Sequence, residues 1–332
     1  MTKVEREIYD QIEELPKVLE FSRSFAMNDL KDILRNSDIV YFVGCGSSYY
    51  LALAASRYFT LRTGIESKAL PGGEVAFESP ENIGQRDMRR AAVLISRSGE
   101  SSEVLRAGER FQERGIRTVG ITLESSSSLV KMCDESVVVP LSEESIVMTK
   151  SFTSMLLTLE IMVDRLVSRS LGVYEKLLDG LESTVGTFRE WVRRWNTELS
   201  DLYVFLGTGM YEGIARESAL KLEEMSLSKV EAYSTYEYRH GPKALMEKGV
   251  ATVVYTSGGE EERRLCEELE TFGAKVLTIG CEGSHIFVGN DVPQDAFLRV
   301  ILGQILALDT ALRKGVDVER PRNLTKVVKL AD

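Results

Sequence analysis

Runs of five or six apolar residues recur along the chain, each leading through a Gly/Ser-rich turn into a stretch with apolar positions three or four apart. The runs are strand-length and the following stretches are helix-periodic, so the repeated unit reads as strand, turn, helix. Residues 38–43 (D-I-V-Y-F-V) lead through Gly44-Cys45-Gly46-Ser47-Ser48 into a helix over 49–62. Residues 91–95 lead through Ser96-Arg97-Ser98-Gly99-Glu100-Ser101 into a helix marked by Val104, Leu105, Ala107, Gly108 and Phe111. Between them, 66–70 is a strand and Pro71-Gly72-Gly73 a loop. Beyond them come a strand at 118–122, a turn at 125–128, a short helix at 129–133 and a strand at 136–140. An amphipathic helical segment, 2–36, precedes the first strand, and Pro16 is expected to kink or split it.

A long apolar helix over 150–170 and a more polar helical connector over 171–199 follow, and then the pattern restarts. Strands at 202–206, 250–255 and 275–279 alternate with helices at 214–226 and 260–272. The turns here are Gly207-Thr208-Gly209 and Thr256-Ser257-Gly258-Gly259. V-G-C-G-S-S (43–48) parallels L-G-T-G-M-Y (206–211), and R-G-I-R-T-V-G-I-T (114–122) parallels F-G-A-K-V-L-T-I-G (272–280). The reading is an α/β protein with two tandem, doubly wound parallel sheets arising from an internal duplication. The expected boundaries are 1–170 for the first domain with its N-terminal helix, 171–310 for the connector and second domain, and 311–332 for a C-terminal tail.

Composition narrows the function. At 332 residues, 43% hydrophobic and 28% charged, the chain has the makings of ordinary globular domains. Its formal net charge of -10 argues against nucleic acid as a partner. A local cradle of N–H groups still binds a phosphorylated metabolite on an acidic protein. Cys45, Cys133, Cys266 and Cys281 are scattered, and His240 and His285 are the two histidines, so neither a zinc site nor another metal is expected. No signal peptide and no apolar run of membrane-spanning length is seen; the expected setting is cytoplasmic, with reduced cysteines and no membrane partner.

A strand-to-helix turn presents free N–H groups to one point, which favours anions. The turn at 96–101 adds three serine hydroxyls and an arginine, and it reads as a phosphate clamp against the plainer reading of a Ser-rich helix cap. The 44–48 loop departs from the G-x-G-x-x-G fingerprint, and no organic cofactor is expected. The second copy's turn has fewer hydroxyls, which points to one phosphate site per chain. Glu217, Lys221 and Glu224 share a helical face, and from spacing alone they read as a solvated ion-pair stripe. His240, before Gly241-Pro242, falls in a loop. The basic, Pro-broken segment 320–326 is either a solvated tail or one folded over a site.

Taken together these motifs resemble the sugar isomerase (SIS) domain proteins, and most closely the isomerase half of glucosamine-6-phosphate synthase. The points of resemblance are C-G-S-S (45–48), S-R-S-G-E-S (96–101), T-K-S-F (149–152), E-S-A-L-K-L-E-E (217–224), E-A-Y (231–233), R-H-G-P (239–242) and P-R-N-L-T-K (321–326). The resemblance implies a hexose or hexosamine 6-phosphate as substrate. Ser48, Ser96, Ser98 and Ser101 fall on its phosphate-binding positions, with Arg97 among them. Cys45, Gly46 and Ser47 fall on its sugar-contacting loop, and Thr149 on a further substrate-binding position. Glu224 corresponds to the base that moves a proton between C1 and C2, and Lys221 and Lys326 to lysines of the same site. His240 corresponds to the ring-opening histidine, which in the family comes from a neighbouring subunit and so implies a homodimer.

A 1,2 proton shift needs one base over the enediol plane and cations to steady the oxyanion, which a carboxylate and a lysine provide. Three positions depart from the synthase pattern. Arg97 stands where a glutamine is usual and is expected to strengthen the clamp; Met148 stands for a small polar residue; and G-E-L-K-H-G-P has become Y-E-Y-R-H-G-P at 236–242. No counterpart of the synthase's glutaminase is seen. The leading expectation is therefore a glucosamine-6-phosphate deaminase that releases fructose 6-phosphate and ammonia. A 6-phosphofructosyl-amine deglycase, a phosphosugar isomerase and a non-catalytic phosphosugar sensor are the alternatives.

Overall fold

A computed structural model of the chain describes residues 1–84, 86–288 and 293–330. The first part runs α1 (Lys3–Ser24), α2 (Asn28–Arg35), β1 (Ile39–Gly44), α3 (Ser47–Thr63), β2 (Glu66–Pro71), α4 (Gly72–Phe77), α5 (Ser79–Asn82), β3 (Arg90–Ile95) and α6 (Ser102–Gln112). It continues through β4 (Arg117–Thr122), α7 (Ser128–Met132), β5 (Glu135–Val138) and α8 (Lys150–Leu166). The second runs α9 (Gly172–Asp179), α10 (Leu181–Trp195), β6 (Leu202–Gly207), α11 (Tyr211–Ser226), β7 (Val230–Ser234) and β8 (Val250–Tyr255). It ends with α12 (Glu260–Thr271), β9 (Lys275–Gly280), β10 (Ile286–Phe287) and α13 (Ala296–Lys314).

Two five-stranded sheets result, ordered β2-β1-β3-β4-β5 and β10-β9-β8-β6-β7. Every pairing is parallel. Written from its own second strand, the second order is β7-β6-β8-β9-β10, which matches the first strand for strand. The two doubly wound units are thus tandem copies of one topology. The copies agree in detail: a Cβ on Gly44 would lie 2.4 Å from the Ser48 backbone, and one on Gly207 2.1 Å from Tyr211 O. In both, the helix turns so tightly off its strand that only glycine fits.

The chain forms two compact bodies that are not simple linear halves. The first comprises Glu13–Glu143, Lys150–Gly172 and Thr325–Asp332; the second comprises Met1–Ile12, Glu144–Thr149 and Val173–Leu324. One face of the first sheet is closed by α6, with Tyr41, Val43, Leu94, Val104 and Phe111 in one core. The equivalent face of the second is closed by α12, through Val204, Leu206, Val254, Leu265 and Leu269. Buried Arg299 ties α13 to the second sheet by bonding Thr256 O (2.6 Å), Ile279 O (3.3 Å) and Asp295 (2.7 Å).

Several expectations change. α1 runs unbroken through Pro16, so the proline does not split it. The segment after Pro71 is the short helix α4 rather than a loop. The connector divides at Gly180 into α9 and α10. The short strands β7 and β10 emerge from tertiary pairing, whereas α13, an apolar helical run ending in Arg313-Lys314-Gly315, was legible in the sequence and missed. No described helix is long and apolar enough to cross a membrane.

The close strand-to-helix approach makes a specific demand. Gly44→Ala should destabilise the protein by about 2–4 kcal/mol. Gly180→Ala, where nothing lies within 4 Å of the added carbon, should stay within about 0.5 kcal/mol. Urea midpoints of the two variants against wild type check this.

Candidate functional site

The loop after β1 and the turn after β3 lie side by side, because β1 and β3 are neighbours with Val43 opposite Leu94. The sheet also reverses its winding at this pair, the place in a doubly wound fold where ligands ordinarily bind. Gly99 sits at φ +65°, and a Cβ there would strike Ser127 Oγ at 2.3 Å, so only glycine permits the turn. Gly99 N donates to Ser96 Oγ (3.1 Å), which lies 3.1 Å from Ser101 Oγ. Glu100 N donates to Ser98 Oγ (3.2 Å).

Ser101 occupies the N-cap of α6 yet makes no side-chain cap bond. The plain helix-capping reading therefore fails: this hydroxyl faces Ser96 across the turn and leaves the helix's own amides alone. Glu100 points the other way, accepting from Ser128 N (2.7 Å) and Ser128 Oγ (3.0 Å). The Ser128 amide is the main reason its carboxyl titrates below the usual range.

In the neighbouring loop, Gly46 takes φ +55° and Ser47 and Ser48 are buried at the start of α3. The half-buried Cys45 thiol is pushed up to about 11, chiefly by burial and further by Glu103, against the Gly72 and Gly73 amides. It is a neutral thiol at physiological pH rather than a nucleophile.

Arg97 does not stand open to the turn. Its Nη1 donates to Glu143 Oε2 (2.7 Å) and its Nη2 to Lys326 O (3.3 Å). Lys326 in turn donates from Nζ to Glu143 O (2.5 Å). These two bonds tether the tail within the first body, while residues 322–326 and 328–330 remain exposed to solvent. Glu143 was missed in the sequence, where it is only one of two glutamates ahead of T-K-S-F. Thr149 is buried in the second body, its carbonyl accepting from Gln304 Nε2 (3.1 Å).

Within the second body, α11 carries the charged face the spacing suggested, but it is not a solvated stripe. The Lys221 side chain has no exposed surface; its ammonium bonds Glu224 and lies 3.5 Å from the equally buried Glu217. Glu224 is 17% exposed, so its carboxylate is the end of this group that meets solvent. A buried ammonium bonded to a carboxylate that reaches solvent is a pairing chemically able to take and return a proton beside a developing oxyanion.

His240 is exposed and ends a short 3-10 turn, Glu237–Arg239. Its loop is bolted to α12 by Arg239–Glu261 (2.7 Å) and Lys243–Glu268 (2.6 Å). Tyr238 is fully buried against Tyr233, with ring centroids 5.6 Å apart. His285 is held by Thr278, whose amide donates to its Nδ1 (3.1 Å).

The second body's equivalent turn explains why one copy differs from the other. Buried Glu262 accepts from Thr208 Oγ1 (2.6 Å), Thr256 Oγ1 (2.8 Å), Ser257 N (2.8 Å), Ser257 Oγ (3.0 Å) and Gly259 N (3.3 Å). Glu262 is the third residue of α12, where α6 has Val104. In the second copy the turn's donors converge on a carboxylate of the protein itself; in the first, Gly99 N and Glu100 N bond serine hydroxyls of the turn instead.

A SIS domain family profile matches residues 33–165. The chain is 40% identical to the solved glucosamine-6-phosphate deaminase of Thermotoga maritima, covering 99% of this chain and 100% of that one with a TM-score of 0.89. It is 30% identical to glutamine–fructose-6-phosphate aminotransferase (isomerizing) of Pyrobaculum aerophilum, over 97% of this chain and 56% of that protein. The C-terminal domain of the Francisella tularensis glucosamine-fructose-6-phosphate aminotransferase, at 23% identity, shares the fold with a TM-score of 0.83 over 96% of this chain and 98% of that one. The chain thus spans little more than half the length of the curated relatives it matches. It belongs to the SIS domain family.

Glu100 gives the 96–101 turn a testable pH signature. Its carboxyl is lowered in the folded state, so its contribution is complete above the ordinary carboxylate pKa and is lost as pH falls through the lower folded value. Melting temperatures of wild type and Glu100→Gln should differ most near neutrality and converge below about pH 4.

Proposed function

We propose that the protein is a glucosamine-6-phosphate deaminase. The observation that carries this reading is the end-to-end correspondence, at 40% identity, with a protein of that name, combined with the Glu224–Lys221 pair on α11. In this reading the Ser96–Ser101 turn and Ser48 bind the 6-phosphate, with Cys45, Gly46, Ser47 and Thr149 contributing to the sugar site. His240 opens the pyranose ring. Glu224 removes the C2 proton, generating an enaminol, and returns it to C1. Lys221 and Lys326 offset the negative charge that develops on O1. The product is the 2-imine of fructose 6-phosphate, which water converts to fructose 6-phosphate and ammonia. The reaction balances with no oxidant or reductant.

Glu224→Gln keeps the shape of the group and removes the base. It should lower turnover of glucosamine 6-phosphate by about 10²–10⁴-fold and leave phosphosugar affinity within about threefold. Ammonia and fructose 6-phosphate release measure the first, and calorimetric titration the second. Phosphosugar binding without release of ammonia by the wild type would overturn the deaminase reading; isomerisation of a neutral hexose 6-phosphate alone would favour a plain isomerase. Lys221 is a poorer probe, because losing a buried ammonium beside two carboxylates costs roughly 3–5 kcal/mol of stability.

The proposal includes a homodimer in which His240 serves the neighbouring subunit. A 1:1 mixture of inactive Glu224→Gln and His240→Ala proteins, exchanged through unfolding and refolding, should then regain roughly a quarter of wild-type activity, since about half of the dimers are heterodimers and each holds one intact site of two. If base and histidine act within one subunit, mixing recovers nothing.

A further inference from the structure

Glu143 is the meeting point of three segments, and proton transfer as described above uses none of its atoms. Its carboxylate has no exposed surface. Oε2 accepts from Arg97 Nη1 (2.7 Å) and Ser151 Oγ (2.5 Å), and Oε1 accepts from Ser151 N (3.0 Å) in the first turn of α8. Its backbone carbonyl accepts the Lys326 ammonium at 2.5 Å. Arg97 completes the circuit by donating its other terminal nitrogen to Lys326 O at 3.3 Å. Lys326 is therefore held twice, by its main chain and by its side chain, from two partners that are themselves ion-paired.

The tail continues along the start of α6. Ser102 N donates to Val328 O (3.4 Å), and Leu330 N donates to Ser102 Oγ (3.1 Å). Val328 and Leu330 remain exposed at 52% and 36%. Burial of apolar surface is thus not what retains this stretch, and the polar hooks carry the attachment. Arg97 is the hook within the phosphate turn, and its guanidinium is already directed at a buried carboxylate and a tail carbonyl.

We propose that Arg97 is a positioning residue: with Glu143 it forms a latch that holds the tail and presents Lys326 beside the Ser96–Ser101 turn, and it is not itself a phosphate ligand. This inference rests on reading that turn as the phosphate clamp and Lys326 as part of the site. It gives the departure from the usual glutamine a purpose: a planar two-pronged cation reaches the carboxylate and the tail carbonyl at once, which a lysine or glutamine does not reproduce.

The test compares wild type, Arg97→Gln and Arg97→Lys by limited trypsinolysis, following cleavage after Lys326 and Lys329 by mass spectrometry. It is paired with titration of inorganic phosphate and with steady-state turnover. Arg97→Gln should speed tail cleavage about tenfold or more, with Arg97→Lys in between, because proteolysis reads the population of the detached tail. Phosphate affinity should stay within about threefold, and kcat should fall by about tenfold with little change in KM. Tail cleavage at the wild-type rate in both variants overturns the latch. A roughly tenfold loss of phosphate affinity with the tail still protected overturns it equally and makes Arg97 a phosphate ligand. If Arg97→Gln does not fold, Arg97→Lys decides between the same outcomes. The cleavage arm needs no turnover, so it stands even if the wild type does not act on glucosamine 6-phosphate.

Discussion

In a parallel sheet every strand ends on the same edge, and where the winding reverses two neighbouring loops face a gap that no crossover helix covers. Both sheets here reverse once, between β1 and β3 and between β6 and β8. The donors assembled at such a point, helix-start amides and hydroxyls, call for an acceptor. In the second body the call is answered from within, by the Glu262 carboxylate. In the first, the residue at the matching place on α6 is Val104, which packs into the core. One apolar-for-acidic difference between the copies removes from the first turn the internal carboxylate that gathers the donors of the second.

Buried charge organises the rest. Lys221 with Glu217 and Glu224, Arg97 with Glu143, and Arg299 with Asp295 all sit almost or wholly out of solvent. Ion pairs of this kind recover little net stability once desolvation is counted, and removing one partner is costly. Their value lies in geometry. Arg299 anchors α13 to the ends of β8 and β9; Arg97 and Glu143 join the clamp turn, α8 and the tail; Lys221 sets the one carboxylate of its group that reaches solvent.

These placements bear on the proposed deamination in a particular way. A proton shift between neighbouring carbons requires little reorganisation beyond one base and a compensating cation, so the chemistry asks for rigidity more than for reactive groups. The neutral Cys45 thiol fits that picture, since burial keeps it from competing as a nucleophile. The His240 loop, by contrast, is exposed and held from behind by two salt bridges to α12.

Much of this was legible in the amino-acid order. Strand-length apolar runs ending in Gly/Ser turns determined the parallel α/β class and the duplication, because a buried parallel strand must be apolar throughout and its exit turn must be small. The same turns marked the candidate anion site. Local pattern could not reveal β7 or β10, short strands whose identity depends on distant partners. Nor could it tell whether the Glu217-Lys221-Glu224 face was wet or buried, since helical spacing records which residues share a face and not what covers it. It offered Arg97 as a clamp residue. Only the fold brought Glu143, some forty residues on, and Lys326, more than two hundred residues on, to that guanidinium, and turned a phosphate-ligand candidate into the hub of a tail attachment. Periodicity and turn chemistry act over a few residues; ion pairing acts across space, and that is what tertiary structure alone decides.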